Sequence, residues 1–318
     1  MRVIEHSQLA PGFLPASVAT IGNFDGVHLG HRALIGRVVA RAREMGAVSV
    51  VYTFHPHPLK ILNPSSCPPS LTSFDDRVAR IGELGVDVLV WARFDREYAA
   101  QEPEAFVRDT LVEALGVREV WVGPDFGFGR DRRGSIALLE RLGRAHGFRV
   151  RVLPAHTLGD EVVSSTRIRR AVASADFGTA ARLLGRPYTL HGPVVHGASR
   201  GRRLGFPTAN VLVREECLPP PGVYAARARV GQTLHGAALN VGPNPTFGGS
   251  STGVEAYLLD FSGDLYGREV EIEPVARIRG EIAFRDASDL VRQIRDDVAR
   301  VRAILGKEEA AEPARAAP

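Results

Sequence analysis

Along the first half of the chain, apolar positions alternate between two spacings. Short continuous apolar runs predict buried strands, and apolar residues three and four apart predict amphipathic helices. The strands are predicted at residues 18–22, 48–54, 86–91, 117–122 and 148–153, and the helices at 31–45, 75–84, 103–115 and 135–146. Strands that alternate with helices in this way predict an α/β domain, with a parallel sheet covered by helices on both faces.

The pattern changes after a last helical stretch at residues 167–184. Short strands broken by glycine and proline are predicted at 188–196, 222–230, 236–241, 254–259 and 269–278, followed by an amphipathic helix at 286–305. Because no comparable helix separates these strands, we expect a mostly antiparallel β-barrel closed by a C-terminal helix. The predicted domains are residues 1–185 and 186–306. The remainder, 307–318, is rich in Glu, Ala and Pro and is predicted to be a disordered tail.

Composition excludes several classes of protein. The 318 residues are 44% hydrophobic and 24% charged, which is ordinary for a globular protein. No apolar run approaches the ~18 residues of a membrane span, and the N-terminal residues lack the basic and apolar regions of a secretion signal. Cys67 and Cys217 are too far apart in sequence to suggest a disulfide framework or a paired-cysteine zinc site. We therefore expect a cytoplasmic protein without a membrane partner.

The basic residues restrict the chemistry further. The formal net charge is +4, and of 40 lysine and arginine residues only Lys60 and Lys307 are lysines. Neither lysine lies in a phosphate-binding loop or in the strand context of a protein kinase. Phosphoryl chemistry in this chain must therefore use arginine, histidine, backbone N–H groups and metal ions. The arginines are dispersed, so no nucleic-acid partner is expected.

The first chemical motif follows the first predicted strand. Residues 22–31 read GNFDGVHLGH and lead into a helix. His28 and His31 are three residues apart and point to the same side, where the helix N-terminus offers unpaired N–H groups to a phosphate. Gly30 leaves space for a nucleotide against the backbone. Taken alone, such a short match is about as often an incidental pair of surface histidines.

A second segment, residues 164–169, reads SSTRIR and begins another predicted helix. Its hydroxyls are ordinary helix caps, but with the forked donors of Arg169 they also suit a polyphosphate. Together the two segments resemble the His-x-Gly-His nucleotidyltransferase superfamily, whose members have a Rossmann-like sheet and transfer a nucleotidyl group to an acceptor phosphate with release of pyrophosphate. The resemblance implies that His28 and His31 are catalytic. The implied ATP-binding residues are Gly22, Phe24, Asp25, Gly30, Ser165, Thr166 and Arg169.

Two further segments lie at predicted strand ends: residues 53–58, TFHPHP, and residues 123–129, GPDFGFG. His55 and His57 alternate on an extended, proline-rich segment, which is poor geometry for a chelated metal, whereas the aromatic residues suit a planar ring. Both segments are similar to the adenylylating domain of the prokaryotic bifunctional riboflavin kinase/FMN adenylyltransferase family, the FAD synthetases. The flavin-binding residues implied by this similarity are Phe54, Pro58, Asp125, Phe126 and Phe128.

The second half has its own motif at residues 201–210, GRRLGFPTAN. A glycine-rich turn followed by hydroxyl and amide oxygens can supply N–H groups to phosphates and oxygen ligands to Mg²⁺. Segments 221–224, 240–247 and 254–261 follow in the order found in the riboflavin kinase family, which this half resembles.

The riboflavin kinase resemblance implies a role for Glu255 as the general base toward the ribityl 5′-hydroxyl of riboflavin. An outward-facing strand carboxylate is the alternative interpretation of Glu255. Thr208 and Asn210 are implied as Mg²⁺ ligands. The implied ATP-binding residues are Gly197, Arg203, Gly205, Pro207, Thr208 and Asn210, and the implied flavin-binding residues are Gly222, Tyr224 and Arg279.

The sequence thus predicts a bifunctional enzyme that converts riboflavin to FMN in the C-terminal domain and FMN to FAD in the N-terminal domain. Each step uses ATP and Mg²⁺, and a homo-oligomer is left open. Three alternatives remain at this point: a nucleotidyltransferase with another phosphorylated acceptor, a flavin-sensing regulator that binds nucleic acid, and a protein in which one domain retains only a binding role.

Overall fold

The computed structural model describes residues 1–197, 201, 204–214, 216–243 and 252–311. By backbone contacts the chain divides into two compact units. The first consists of Met1–Pro69 and Phe74–Ser165, and the second of Ser70–Ser73 and Thr166–Pro318. The division falls at the start of a helix, earlier than the boundary predicted between residues 185 and 186.

The first unit contains a six-stranded parallel sheet in the order β1-β4-β3-β2-β5-β6. Its strands are β1 (Arg2–Glu5), β2 (Ser17–Ile21), β3 (Val48–His55), β4 (Val88–Arg93), β5 (Val117–Val122) and β6 (Arg149–Val152). Every residue of β2 is buried, as expected for a central strand covered on both faces. β1 was not predicted because it is a short, partly exposed edge strand.

The helices of this unit are α1 (Leu29–Glu44), α2 (Pro58–Leu62), α3 (Phe74–Gly82), α4 (Arg96–Ala99), α5 (Pro103–Ala105) and α6 (Ile136–His146). The helix predicted at 103–115 continues from α5 as a π-helical segment, Phe106–Ala114. A short hairpin, β7 (Thr157–Leu158) and β8 (Glu161–Val162), follows the sheet.

Two apolar layers cover the two faces of the sheet. On one face, α1 contributes Ile35 and Val39 and α3 contributes Ile81 to a core shared with β3 and β4. On the other face, Leu111 of the π-helical segment and Leu139 of α6 pack against the strands. The predicted parallel sheet between two helical layers is therefore confirmed.

The second unit is a closed barrel in the order β10-β13-β12-β11-β14-β9, with antiparallel pairing throughout. Its elements are α7 (Ser165–Ala173, of which Ser165 belongs to the first unit), α8 (Phe177–Leu184), β9 (Leu190–Val195), β10 (Ala209–Val211), β11 (Gly222–Val230), β12 (Thr233–Pro243), β13 (Thr252–Leu258), β14 (Glu269–Arg279) and α9 (Ala287–Ala311). Val301 and Leu305 of α9 pack on Ala225 of the barrel. The predicted barrel with a final helix is confirmed.

Two helix boundaries differ from the prediction. The helix expected at 167–184 is split into α7 and α8, because Ala175 takes a left-handed conformation (φ 58°) and the Asp176 carboxylate accepts the Thr179 N–H at 2.9 Å. The final helix runs to Ala311 instead of ending at residue 305. Residues 306–311 read GKEEAA, mostly strong helix formers. The rest of the predicted tail, 312–318, lies outside the described residues.

Across the ranges that the structure describes, no helix combines the length and the apolar character needed to cross a bilayer.

Two glycines with positive φ provide a test of how the first unit is packed. At Gly116 (φ +54°) a Cβ would lie 2.6 Å from the carbonyl oxygen of Leu14, whereas at Gly46 (φ +60°) it would meet nothing within 4 Å. Both alanine variants carry the left-handed backbone cost, but only Gly116→Ala must also displace backbone. We expect Gly116→Ala to lower the free energy of unfolding by about 1–3 kcal/mol more than Gly46→Ala does.

Urea unfolding followed by tryptophan fluorescence measures this difference, because both tryptophans, Trp91 and Trp121, lie in the first unit. Equal losses in the two variants would mean that the contact with Leu14 relaxes without cost.

Candidate active sites

The first candidate site lies where the order of the parallel sheet reverses. After β2 the chain continues through β3 and β4 on one side of β2, and then returns to place β5 and β6 on its other side. Ligands of such sheets bind at the carboxyl ends of the strands beside this point. The loop of residues 22–28 leaves β2 there and leads directly into α1.

The two histidines of the first motif lie at the N-terminus of α1. His28 is the N-cap residue, and its Nδ1 accepts the backbone N–H of His31 at 3.3 Å. The two imidazole rings are stacked, with centroids 3.6 Å apart and planes inclined by 16°. The positive end of the helix dipole and two parallel imidazoles therefore share one small region, which favours a bound anion.

Burial and two basic neighbours favour the neutral form of His31. Desolvation lowers the pKa of His31 well below its ordinary value of 6.5, and the neighbouring His28 and Arg77 lower it further. Its Nδ1 is buried and has no hydrogen-bond partner among the residues that the structure describes. A neutral imidazole next to a stacked partner can take up charge when an anionic group arrives.

The loop before α1 is strained and closely packed. Phe24 (φ 48°) and Val27 (φ 41°) lie in the left-handed region, which costs energy for residues with a side chain. The buried Phe24 ring meets His31 edge-on at a centroid distance of 5.3 Å. At Gly30 a Cβ would lie 3.2 Å from Cε1 of His28, and at Gly22 it would lie 3.1 Å from the Phe24 ring. A side chain at either position would have to push these rings back by a few tenths of an ångström.

Ser165, a residue of the second N-terminal motif, meets the same loop. Ser165 Oγ donates a hydrogen bond to the carbonyl oxygen of Asp25 at 3.0 Å. Asp25 itself is 5% exposed. Ser165 is the first residue of α7, and Thr166 and Arg169 follow in that helix, within the second unit. The structure thus joins Ser165 to the loop 22–28.

Next to this loop is a cavity of about 610 Å³, a volume typical of small-molecule sites. It has an aromatic wall, in which the rings of Phe126 and Phe128 are stacked with centroids 5.5 Å apart. The structure brings all five residues of the predicted flavin-binding set to this cavity: Phe54, Pro58, Asp125, Phe126 and Phe128.

Sequence reasoning missed several residues of this cavity. Phe94, Tyr98 and Phe106 also line it. The hydroxyl of Tyr98 lies 2.8 Å from that of Tyr52, which in turn lies 2.8 Å from Nδ1 of His6. The position of Phe94 just after β4 could have indicated its role, since Phe54 likewise lies at the carboxyl end of a strand. The network from His6 joins three segments distant in sequence and leaves no local pattern.

His57 lines this cavity and caps the N-terminus of α2. Its Nδ1 accepts the N–H of Leu59 at 3.2 Å, and its Nε2 lies 3.2 Å from Nδ2 of Asn23. Within the described residues, no three or more His, Cys, Asp and Glu side chains are grouped to hold a metal ion.

The second candidate site is built across three strands of the barrel. Glu255 of β13 pairs in register with Asn210 of β10 on one side and with Asn240 of β12 on the other. Directly paired residues on adjacent strands place their Cβ atoms about 4.5–5.5 Å apart. Glu255 and Asn240 line a cavity of about 330 Å³ together with Thr208. A carboxylate, amides and a hydroxyl thus converge at one end of the barrel.

Thr208 also lines a neighbouring cavity of about 390 Å³. Pro207 and Tyr266 lie in the lining of this second cavity, and the ring of His196 stacks on Tyr266 with centroids 3.8 Å apart. Two small-molecule spaces therefore share one threonine side chain, an arrangement suited to two substrates that react with each other.

Glycines hold the backbone close to these side chains. At Gly197 a Cβ would lie 2.4 Å from Nδ2 of Asn210, and at Gly201 it would lie 2.3 Å from the carbonyl oxygen of Phe206. Gly205 has a φ of 84° within the same turn. Arg203, also predicted to bind ATP, lies outside the described residues.

The three residues predicted to bind flavin in the barrel have different environments. Arg279 lines the 330 Å³ cavity, where its guanidinium forms a forked ion pair with the buried carboxylate of Asp297 in α9, with N–O distances of 2.8–3.1 Å. Tyr224 is fully buried, donates its hydroxyl to the carbonyl of Pro220 and packs against Phe177. Neither Tyr224 nor Gly222 is part of the lining of the three cavities described here.

Each half of the chain matches a known protein family, and both halves occur together in known proteins. The FAD synthetase family model matches residues 11–167, and the riboflavin kinase family model matches residues 184–305. The bifunctional riboflavin kinase/FMN adenylyltransferase of Haemophilus influenzae is 37% identical over 96% of this chain and 99% of its own length. The protein of the same description from Escherichia coli K12 is 38% identical over 91% of this chain and 93% of its own. This chain belongs to the bifunctional riboflavin kinase/FMN adenylyltransferase family.

The fold agrees with that membership. A solved structure described as a macrolide-efflux protein from Streptococcus pneumoniae matches this chain with a TM-score of 0.81 and 29% identity, covering 95% of this chain and 99% of that one. The predicted riboflavin kinase and FMN adenylyltransferase activities are both confirmed by the family models and by the relatives. The family uses ATP with riboflavin and FMN, so the alternative acceptors and the regulator are not favoured.

The lowered pKa of His31 predicts how the stability of the first unit depends on pH. In the unfolded chain His31 binds a proton below about pH 6.5, but in the folded protein it does so only at lower pH. As the pH falls below 6.5 the unfolded state therefore holds more protons, so the free energy of unfolding falls as the pH is lowered. His6, whose pKa burial also lowers, adds to the same slope.

Urea unfolding of the wild type and of His31→Gln, followed by tryptophan fluorescence at pH 5 to 8, measures this slope. We expect a shallower slope for the variant below pH 6.5. An unchanged slope would mean that folding does not lower the pKa of His31.

Proposed function

We propose that the stacked histidine pair and the adjoining aromatic cavity form the FMN adenylyltransferase site. In this proposal Gly22, Phe24, Asp25, Gly30, Ser165, Thr166 and Arg169 bind ATP, and Phe54, Pro58, Asp125, Phe126 and Phe128 hold the flavin. The observation that carries it is the position of His28 and His31 at the N-terminus of α1, beside a cavity of about 610 Å³ lined by aromatic rings.

The proposed reaction is an in-line displacement at the α-phosphorus of ATP. A phosphate oxygen of FMN forms the new P–O bond, and the bond from the α-phosphorus to the bridging oxygen breaks, so that pyrophosphate leaves with the electron pair. Charge grows on the oxygens around the α-phosphorus, where His28, His31 and the N–H groups of α1 are placed to stabilise it. No covalent enzyme intermediate is required.

We further propose that the barrel carries the riboflavin kinase site, with riboflavin in the 330 Å³ cavity and ATP in the 390 Å³ cavity. Thr208 lines both cavities, so the γ-phosphate and the ribityl 5′-hydroxyl would meet beside it. Gly197, Arg203, Gly205, Pro207 and Asn210 are the proposed ATP-binding residues, and Gly222, Tyr224 and Arg279 the proposed flavin-binding residues.

Glu255 is the proposed general base of the kinase reaction. Its carboxylate takes the proton of the 5′-hydroxyl while that oxygen bonds to the γ-phosphorus, and ADP leaves with the electrons of the broken P–O bond. The pairing of Glu255 with Asn210 and Asn240, at the edge of the cavity, supports this role over that of an outward-facing strand carboxylate.

Mg²⁺ is the proposed cofactor of both reactions, and the donor set of the barrel site fits it. The hydroxyl of Thr208 and the amide of Asn210 are hard oxygen donors, and the neighbouring glycines bring backbone within contact distance of both side chains. When bound, Mg²⁺ screens the charge of the triphosphate and orients the leaving group. Two protein ligands leave room for phosphate oxygens and water, as Mg²⁺ prefers.

We place the enzyme in the cytoplasm. Neither Cys67 nor Cys217 is in a disulfide, which is typical of proteins in reducing compartments.

Separate substitutions test the division of roles. We expect His28→Ala to lower FAD formation from FMN about 10²–10³-fold, because it removes a group that stabilises transition-state charge, and to leave riboflavin phosphorylation unchanged. Glu255→Gln is expected to do the reverse. Chromatographic separation of riboflavin, FMN and FAD measures both steps in one reaction.

His146→Ala and Glu269→Gln, which alter exposed side chains of α6 and β14, are the matched controls and should keep both activities. If His28→Ala and Glu255→Gln each abolished both reactions in folded protein, the assignment of two sites would be wrong.

Removal of divalent cations with EDTA is expected to stop both reactions, and Mg²⁺ to restore them. Asn210→Ala should raise the Mg²⁺ concentration for half-maximal kinase activity about tenfold or more and leave the Mg²⁺ dependence of adenylylation unchanged. A kinase reaction of Asn210→Ala with the Mg²⁺ dependence of the wild type would exclude Asn210 as a ligand.

A further inference from the structure

Arg77 is a buried cation in the first unit that no motif pointed to. It lies in α3 and is 7% exposed. One guanidinium nitrogen donates to the carbonyl oxygen of Asn23 at 2.6 Å, and another donates to that of Phe54 at 3.1 Å. Arg77 therefore bonds two neutral backbone acceptors from two different parts of the sheet edge.

Such a placement costs free energy. Burying a guanidinium removes strong hydration, and carbonyl oxygens return only part of it. The Nε atom of Arg77 is also buried without a hydrogen-bond partner in the described part of the chain. An apolar side chain would fill this space at lower cost, so packing alone does not explain an arginine here.

The two acceptors belong to the two substrate regions of the proposed adenylyl site. Asn23 is part of the loop 22–28 that leads to His28, and its side chain meets His57 in the cavity wall. Phe54 lies at the end of β3 and contributes its ring to the aromatic wall. The guanidinium of Arg77 thus links the loop 22–28 to the aromatic wall of the cavity at Phe54 by hydrogen bonds to one backbone carbonyl of each.

Arg77 is itself held in place on α3. Its guanidinium carbon lies 5.3 Å from the centroid of the Phe74 ring, within the range of a cation–π contact. Ile81, one turn further along α3, is fully buried in the core. The helix therefore offers a fixed support from which the guanidinium reaches both carbonyls.

We propose that Arg77 is a positioning residue for adenylyl transfer, which fixes the distance between the loop 22–28 and the flavin wall at Phe54. The proposal rests on the proposed function of the first unit. Because a displacement of about 1 Å between reacting groups can cost ~10²-fold in rate, a residue that sets this distance has a large effect without touching either substrate. It also places a fixed positive charge near His31, consistent with the lowered pKa of that imidazole.

The test compares Arg77→Met, Arg77→Lys and Arg80→Met in the full chain. Arg77→Met keeps apolar bulk but loses both hydrogen bonds and the charge, and we expect kcat/KM for FAD formation to fall ~10²-fold, with higher KM for both ATP and FMN. Arg77→Lys keeps a charged donor for the two carbonyls and should restore most of that activity. Arg80→Met removes a guanidinium of the same helix that pairs with Asp76 instead, and should leave both KM values unchanged.

The rate of riboflavin phosphorylation by the same samples shows whether the second unit is intact, and it should be equal in all variants. A variant that only lowers the fraction of folded protein lowers kcat and leaves KM unchanged, so raised KM values separate positioning from instability. Wild-type KM and kcat in folded Arg77→Met would overturn the proposal. If Arg77→Met does not fold, Arg77→Gln, which can reach one carbonyl only, decides: raised KM supports the proposal and unchanged KM overturns it.

His28→Ala distinguishes this inference from the proposed function. If His28→Ala remains active in FAD formation, the proposed adenylyl site is wrong. If His28→Ala is inactive and Arg77→Met is active, only the role of Arg77 falls.

Discussion

The first unit depends on one hydrogen bond, from the His31 N–H to Nδ1 of His28, because that bond both starts α1 and aligns the two imidazoles. A serine cap would satisfy the same N–H without placing a second titratable ring against the first. The cap also explains the strain before it, since Phe24 must adopt a positive φ for the loop to turn from β2 into the helix. The energy stored in the loop is thus tied to the proposed chemistry.

Both proposed sites must bind a triphosphate in a chain that has only two lysines. The barrel has a different arrangement for this from that of the first unit. The first unit presents the N–H groups and dipole of a helix, which need no side-chain charge. The barrel instead has glycines that bring backbone against Thr208 and Asn210, so that oxygen donors for a cation lie where phosphates are proposed to bind. In the proposed sites one unit therefore uses aligned backbone donors, and the other uses the close approach of a glycine-containing turn to Thr208 and Asn210.

Site residues that belong to short, local motifs could be predicted from the sequence. The spacing of His28 and His31 and the aromatic residues after strand ends predicted side chains that the fold does bring to one region. Arg77 could not be found in this way, because Asp75, Asp76 and Arg80 around it give α3 a charged pattern that suggests a surface helix. In the fold its guanidinium is buried against carbonyls from the loop 22–28 and from β3. For Tyr224, motif position predicts a flavin contact, and what the sequence does not reveal is that its ring is fully buried against Phe177.

The ion pair between Arg279 and Asp297 has a consequence for the order in which the molecule matures. During synthesis on a ribosome, β14 emerges before α9. Arg279 therefore cannot form its ion pair with Asp297 until α9 has been translated and has packed on the barrel. The wall of the 330 Å³ cavity, which Asp297 also lines, is incomplete during that interval. All residues of the sheet in the first unit have already left the ribosome by then. A newly made chain therefore completes its adenylyl half first, although riboflavin must pass through the other half before that site has a substrate.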